Sequence, residues 1–249
     1  MSESGLAVTV LGCSGSYPAA GGACSGYLVE GAGTRVWLDA GSGTLANLQR
    51  HIGFDDLDGV VLSHAHPDHW GDLLSYQVVV RYIRKRTGVP AFGPADLRDT
   101  LEALHGPLAP ELDWTTVEDG STGSIGGLSL RFSQTDHPVE TMAVRIEGDG
   151  AALGYSADTG PGWSLSALGP ALDLALVEAT FEPEWHGTAQ HLTASQAGAM
   201  AKEAGARQLV LTHLQPEVDP ARAAALGAEA FGGPVDVATI GTRYEVGAS

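Results

Sequence analysis

The feature that most restricts this chain is a short segment, residues 63–72, that reads SHAHPDHWGD. In an extended backbone His64 and His66 point to the same side, because strand side chains alternate with a period of two. The proline after them delays the start of a helix. Asp68 and His69 can then turn toward a second point a few ångströms away. The spacing therefore predicts two adjacent groups of metal ligands rather than one.

Three later residues could complete such a centre, and each lies just past the end of a predicted strand: His137, Asp158 and His213. Neutral imidazole and carboxylate together suit Zn²⁺, with Mn²⁺ or Fe as alternatives. We therefore predict a site for two divalent metal ions, with zinc as the expected metal. The predicted ligands are His64, His66, Asp68, His69, His137, Asp158 and His213.

Hydrophobic patterning predicts blocks of strands separated by helices, in two comparable halves of the chain. This pattern fits two packed mixed sheets covered by helices on the outside, which we assign to one domain over residues 1–249. The predicted strands lie at 6–11, 26–30, 35–39, 59–62, 128–132, 142–146, 151–155, 172–177, 208–212, 235–237 and 244–246, and the predicted helices at 42–51, 68–86, 193–204 and 220–229.

The charge of the chain restricts its partners. Thirteen basic and thirty acidic residues give a net charge of −17. Such a surface repels polyanions, so we do not expect a large RNA as a partner, whereas a small anion can be attracted by metal ions. No segment approaches the roughly 18 consecutive apolar residues that a membrane helix needs. With no secretory leader recognised, we expect a cytoplasmic protein without a membrane partner.

Taken together, these motifs resemble those of the metallo-β-lactamase-fold hydrolases. The H-x-H-x-D-H block is intact, and the later His, Asp and His follow in the family order. The resemblance implies an α/β fold, a four-layer αβ/βα sandwich of two mixed sheets flanked by helices. It also implies that Asp158 bridges the two ions and that Asp39 supports the metal-binding loop without contacting metal. The first ion is then held by His64, His66 and His137, and the second by Asp68, His69 and His213.

Two further segments, LVEATF at 176–181 and QHLTASQA at 190–197, resemble the ribonuclease Z and phosphodiesterase branch. That resemblance implies that His191 donates a proton to the leaving oxygen and that Glu178 orients it. A positioned imidazole of this kind accelerates a reaction by about 10²–10⁴-fold. Asp68 is the third predicted catalytic residue, as an acceptor for the proton of the attacking water.

Two substrates compete within this branch. Enzymes that process the 3′ end of transfer RNA carry a basic arm between the third ligand block and the bridging aspartate. Here the segment between His137 and Asp158 contains one basic residue, Arg145. We therefore predict a small anionic phosphodiester, such as a cyclic nucleotide, as the substrate. The basic segment 81–86, RYIRKR, is the one counterargument, although cations at a helix end also complement the helix dipole.

Other functions use the same metal ligands. The chain could hydrolyse a thioester or a lactone, which the pairing of Glu178 with His191 argues against. It could also be an inactive binding module, which a complete ligand set argues against. We expect a homodimer, as in many relatives, and leave the role of His186 open. The acids Asp72 and Asp136 are expected on a helix surface and in a loop, and His105 is expected in a loop.

Overall fold

The computed structural model describes residues 5–182, 184 and 189–247, and its strands form two seven-stranded mixed sheets. In the first sheet the strand order is β14-β1-β2-β3-β4-β5-β6. Strands β1 to β3 pair antiparallel, and β3 to β6 pair parallel. These strands are β1 (Leu6–Gly12), β2 (Gly26–Gly31), β3 (Thr34–Ala40), β4 (Gly59–Val61), β5 (Val89–Gly93), β6 (Leu112–Thr116) and β14 (Arg243–Val246).

The second sheet repeats this plan, with the order β13-β12-β11-β10-β9-β8-β7. Strands β7 to β10 pair antiparallel, and β10 to β13 pair parallel. The predicted meander of β8, β9 and β10 is therefore confirmed. The strands are β7 (Thr122–Ile125), β8 (Leu128–Gln134), β9 (Met142–Gly148), β10 (Ala151–Tyr155), β11 (Leu174–Glu178), β12 (Gln208–Thr212) and β13 (Asp236–Val237).

The two sheets pack face to face through a shared apolar core. Val29 and Leu38 of the first sheet belong to the same buried cluster as Leu130, Leu153 and Leu176 of the second. Phe92 stacks on Phe132 across the sheets, with ring centroids 6.2 Å apart and planes inclined by 16°. Burial of such side chains is the main favourable contribution to folding.

Helices cover the outer face of each sheet through separate apolar clusters. On the first sheet, Trp37 meets Tyr76 edge to face with centroids 5.8 Å apart. The result is the predicted four-layer sandwich. None of the helices within the described ranges is long and apolar enough to cross a membrane. The helices are α1 (Thr44–Leu48), α2 (Leu73–Val78), α3 (Ala95–His105), α4 (Ala194–Glu203) and α5 (Pro220–Phe231).

The single helix predicted at 68–86 is wrong. The chain instead forms a 3₁₀ turn at Pro67–His69, then α2, then a π-helix at Val79–Arg84. Asp72, expected on a helix surface, is the residue before α2, and its Oδ2 accepts hydrogen bonds from the backbone N–H groups of Gly43 and Leu45 at 2.9 and 2.8 Å. Asp72 thus fastens the 63–72 segment to the start of α1 and to the residue before it.

No element was predicted between residues 89 and 125, where the structure has β5, α3, β6 and β7. Strand β5 is buried on both faces, so it lacks the alternation that identifies a strand, and it contains a proline. His105, expected in a loop, is the last residue of α3.

The contact between the sheets gives a first prediction. Replacing the buried Phe132 with alanine removes its packing against Phe92 and should lower the free energy of unfolding by about 3–5 kcal/mol. Guanidinium unfolding measures this change. Leu104→Ala is the control, because Leu104 is 63% exposed, and its effect should stay within about 0.5 kcal/mol. A similar small loss in Phe132→Ala would contradict a tightly packed interface.

Candidate metal centre

The structure brings all seven predicted ligands together at one edge of the sheets. The H-x-H-x-D-H segment follows β4, while His137, Asp158 and His213 follow β8, β10 and β12. Strands β8 and β10 both run antiparallel to β9, and β10, β11 and β12 are parallel. Their carboxyl ends therefore lie at the same edge, where α/β folds usually place a site.

The first group of ring nitrogens converges on one point. His64 Nε2 lies 3.1 Å from His66 Nδ1, and His137 Nε2 lies 3.1 Å from the same nitrogen. Asp158 Oδ2 is 3.6 Å from His64 Nε2 and 3.9 Å from His137 Nε2. These four donor atoms lie within 4.8 Å of one another, so this group can hold a metal ion.

A second group lies beside the first. His69 Nε2 and His213 Nε2 are 3.2 Å apart, and Asp68 Oδ2 is 3.7 and 3.2 Å from them. Asp158 Oδ1 approaches the same two nitrogens at 3.2 and 3.5 Å. Asp158 therefore directs one oxygen toward each group, which is the arrangement required of a bridging carboxylate.

The carboxylate of Asp158 is buried, with 2% of the residue exposed. Its Oδ1 is inaccessible and has no hydrogen-bond partner. Burial alone would raise the pKa of Asp158, but the neighbouring histidines, His213 foremost, lower it well below its usual range. A buried anionic oxygen without a donor costs free energy, and a bound cation would offset that cost.

Burial and neighbouring charges shift the pKa values of these histidines in different directions. Burial lowers the pKa of His64, His66 and His137, which favours the neutral imidazole that a metal ligand requires. Burial would also lower the pKa of His69, but the surrounding aspartates, Asp158 first, raise it well above its usual value. The aspartates therefore stabilise positive charge at this point of the site.

Several of these histidines use their second ring nitrogen to contact a protein oxygen. Such contacts fix the tautomer and the ring orientation of metal-binding histidines. The pairs are His64 Nδ1 with Ser63 Oγ (3.0 Å), His69 Nδ1 with Asp39 Oδ2 (2.7 Å), His137 Nδ1 with the Gln190 carbonyl (3.1 Å) and His213 Nδ1 with Thr180 Oγ1 (2.8 Å).

Asp39 lies behind the cluster, as expected, and is fully buried. Its carboxylate accepts hydrogen bonds from the backbone N–H and the hydroxyl of Ser63, both at 2.8 Å. It also accepts from His69 Nδ1 and from the Tyr155 hydroxyl, both at 2.7 Å. With four donors around it, Asp39 anchors the start of the metal-binding segment to both sheets.

Glu178, at the end of β11, is also buried and fully hydrogen-bonded. Its Oε1 accepts from the backbone N–H of Thr159 at 2.8 Å and from His191 Nδ1 at 2.9 Å. Its Oε2 accepts from the Thr180 hydroxyl at 2.6 Å and from the Leu192 backbone N–H at 3.2 Å. Glu178 and His191, predicted as a pair, are in direct contact.

The His191 ring lies against the cluster. It stacks on the His213 ring with centroids 5.7 Å apart and planes inclined by 23°, and it meets His137 at 5.1 Å. Burial lowers the pKa of His191, but the charge and hydrogen bond of Glu178 outweigh burial and raise it to about 9. Glu178 therefore favours the protonated form of the imidazole that lies beside the candidate metal ligands.

The sequence profile of the β-lactamase superfamily domain matches residues 34–214. The chain belongs to this superfamily. An uncharacterized protein of Mycobacterium tuberculosis is 34% identical to this member, over 96% of this chain and 92% of that protein. The probable metallo-hydrolase YhfI of Bacillus subtilis is 33% identical over 84% of this chain and 87% of that protein, and a ribonuclease Z of Mycobacterium bovis is 28% identical over 97% and 98%.

Solved structures of the β-lactamase superfamily agree with this fold. The crystal structure of YhfI from Bacillus subtilis superposes with a TM-score of 0.89, at 29% identity, over 98% of this chain and 100% of that one. Human tRNase Z, short form, superposes with a TM-score of 0.76 at 19% identity, over 97% and 100%. The resemblance read from the motifs is confirmed, and the chain is a member of a hydrolase superfamily.

Sequence reasoning missed several residues of this β-lactamase superfamily site. Thr180 links Glu178 to His213, and Tyr155 donates to Asp39. The contacts of Thr180 with His213 and of Tyr155 with Asp39 leave no pattern in the sequence, because they join residues that are distant in the chain. Position offers a weak signal, since Thr180 follows Glu178 by two residues and Tyr155 ends a strand that leads to the site.

Two features singled out in the sequence lie apart from this centre. Within the basic segment 81–86, Arg81 donates to both carboxylate oxygens of Glu111 at 3.0 and 2.9 Å, and Arg84 Nε lies 3.8 Å from Asp55. These contacts give the segment intramolecular acidic partners. His186 lies outside the described residues.

Support of the cluster by Asp39 gives the second prediction. Asp39→Asn removes the charge that accepts from His69 and Ser63, and the apparent zinc affinity should fall about 10–100-fold. Competition with a chromophoric chelator measures this affinity. Asp58→Asn is the matched control, because Asp58 accepts a backbone hydrogen bond from Arg35 at the opposite end of β3. Equal affinities in the two variants would show that Asp39 does not support the site.

Proposed function

We propose that this protein is a dinuclear metal-dependent phosphodiesterase that hydrolyses a small anionic phosphodiester, such as a cyclic nucleotide, with His191 as the general acid. The observation that supports it most is the buried Glu178–His191 pair, 2.9 Å between Oε1 and Nδ1, set against a cluster of candidate metal ligands. A proton donor beside a metal centre is needed when the leaving group is an alkoxide.

The residues present fit two divalent metal ions, with zinc as the expected metal and Mn²⁺ or Fe as alternatives. The unpartnered Oδ1 of Asp158 and the converging ring nitrogens support this assignment. His64, His66 and His137 would hold one ion, Asp68, His69 and His213 the other, and Asp158 would bridge them. When bound, such ions polarise the phosphoryl group and lower the pKa of water toward neutrality.

His191 would hold the proton that the leaving oxygen needs. Its Nδ1 is occupied by Glu178, so Nε2 is the nitrogen available to a substrate. Glu178 also favours the charged imidazolium, which is why the pKa of His191 lies above its ordinary value despite burial. The direct contact with Glu178 at 2.9 Å supports the assignment of His191 as a proton donor.

Asp68 would serve as a ligand and as the acceptor for the proton of the attacking water. Its Oδ2 accepts a hydrogen bond from the Ser16 backbone N–H at 2.9 Å, which holds the carboxylate at the mouth of the cluster. Burial alone would raise the pKa of Asp68, but His69 and His213 lower it well below its usual range. Asp68 is therefore ionised, as both roles require.

A small substrate is favoured by the chain between His137 and Asp158. There β9 and β10 form a hairpin whose turn is Asp149-Gly150, without a protruding basic arm. The net charge of −17 further disfavours a long RNA. A ribonuclease Z-type transfer-RNA endonuclease is the second candidate, supported by the 28% identity to a protein of that name.

A thioester or lactone hydrolase on the same ligands is less well supported. A thiolate leaves readily without a proton, so a thioester hydrolase has no need of the buried Glu178–His191 pair. A lactone releases an alkoxide, so this argument applies to the thioester alone. The expected homodimer and the cytoplasmic location stay predictions.

The third prediction tests the role of His191. His191→Ala should reduce kcat for a cyclic nucleotide by about 10²–10⁴-fold, while bound metal per protein is unchanged. The loss should be much smaller for bis-p-nitrophenyl phosphate, because p-nitrophenolate leaves without a proton. His51→Ala, at an exposed histidine outside the cluster, is the control. Equal losses on both substrates, or loss of metal, would refute the general-acid role.

The fourth prediction concerns the substrate class. The zinc-loaded protein should hydrolyse cyclic AMP and bis-p-nitrophenyl phosphate faster than it cleaves a precursor transfer RNA or an acyl thioester. Removal of metal with a chelator should abolish this activity, and added Zn²⁺ or Mn²⁺ should restore it. Turnover of the thioester without diester hydrolysis would overturn the proposal, and cleavage of the transfer RNA alone would favour the second candidate.

A further inference from the structure

Asp136, read from the sequence as a loop acid, lies where three loops of the site meet. Its Oδ2 accepts a hydrogen bond from the Gly162 backbone N–H at 2.9 Å, and its Oδ1 accepts from the Gln190 side-chain amide at 2.8 Å. Its carbonyl accepts from the Gly160 backbone N–H at 2.6 Å. One residue thus joins the loop of His137 to the loops that follow Asp158 and precede His191.

The neighbouring loop leaves room for this carboxylate because it contains two glycines. A Cβ added at Gly160 or Gly162 would lie 2.6 or 2.5 Å from Asp136 Oδ2. Such distances are too short for real Cβ atoms, so any larger residue would displace the acid. The packing at these two glycines, independent of the hydrogen bonds, therefore also places Asp136 in this position.

Gln190 connects Asp136 both to His137, a proposed metal ligand, and to His191, the proposed general acid. Its backbone carbonyl contacts His137 Nδ1 at 3.1 Å, and the next residue in the chain is His191. The rings of His137 and His191 are 5.1 Å apart. A displacement of Gln190 would therefore move the proton donor and release the ring of a metal ligand at the same time.

We infer that Asp136 and Gln190 form a positioning clamp that sets the His191 ring relative to His137. This inference rests on the proposed function, since it assigns His137 to a metal and His191 to the leaving group. Gln190 is exposed and Asp136 half-buried, so their hydrogen bond contributes little to the free energy of unfolding. Loss of the clamp should therefore change kcat and metal affinity rather than the free energy of unfolding.

Charge repulsion across the pair tests the clamp. Gln190→Glu places two carboxylates against each other and should push the loop away. Because a small misplacement of a catalytic group can cost up to about 10²-fold, kcat for cyclic AMP should fall about 10–100-fold, with KM nearly unchanged. Adding Asp136→Asn to the Gln190→Glu variant should restore kcat. The Asn amide can donate to the introduced carboxylate while its oxygen still accepts from Gly162.

A second readout does not depend on turnover. The zinc affinity of the metal-free protein should fall about 10-fold in Gln190→Glu, because the His137 ring loses its fixed orientation, and should recover in the double variant. The melting temperature should stay near that of the wild type in all variants. Asp149→Asn is the matched control, since Asp149 accepts a hydrogen bond from Ala32 at the far end of β9.

The outcomes distinguish a failure of the proposed function from a failure of the clamp. If His191→Ala keeps full activity on cyclic AMP, the proposed function fails whatever the clamp does. If His191→Ala loses activity but Gln190→Glu does not, or Asp136→Asn gives no recovery, the clamp is wrong and the proposed function stands. Recovery of both kcat and zinc affinity in the double variant, with greater sensitivity of cyclic AMP than of bis-p-nitrophenyl phosphate, supports the clamp.

Discussion

The buried carboxylate of Asp158 is the constraint on which the whole site depends. An ionised oxygen with no hydrogen-bond donor is among the most costly groups that a folded protein can contain. Here the two oxygens of the carboxylate are approached by ring nitrogens from four histidines at 3.2–3.9 Å, two for each oxygen. Those nitrogens are donors only when protonated, and burial opposes protonation at His64 and His137. His69 is the exception, because the aspartates raise its pKa and its Nε2 lies 3.2 Å from Asp158 Oδ1. In the proposed centre, bound cations would supply the remaining positive charge.

The sandwich makes such a site possible because the residues that stabilise the fold are largely different from those that form the site. The apolar core lies between the sheets, with outer clusters under the helices, and most of the residues in these clusters belong to strands and helices rather than to the loops at the strand ends. The loops can then adopt unfavourable backbone conformations. Asp39, Ala157 and His213 all have positive φ without being glycine, at a cost of about 1–3 kcal/mol each. The packed sheets offset that cost.

The features of this molecule that could be predicted from the sequence are those fixed by interactions between residues close together in the chain. The ligands of the 63–72 segment could be predicted because a period-two strand followed by a turn fixes their directions within a few residues. The strands leading to His137, Asp158 and His213 were recognised by their apolar runs. Strand β5 was missed because both of its faces are buried. Contacts such as Tyr155 with Asp39, 116 residues apart, leave no local pattern at all.

The net negative charge of the chain is consistent with an anionic substrate, because long-range repulsion and the charge close to the site act differently. A net charge of −17 repels anions at long range, but that repulsion is screened within about 8 Å at physiological ionic strength. In the proposed function, the charge that a phosphate would meet close to the site is that of the metal ions and of His191. Glu178 is buried, and its oxygens are occupied by hydrogen bonds from Thr159, His191, Thr180 and Leu192. A small phosphodiester can thus be bound by local positive charge, whereas a long polyanion would also have to lie along the acidic surface.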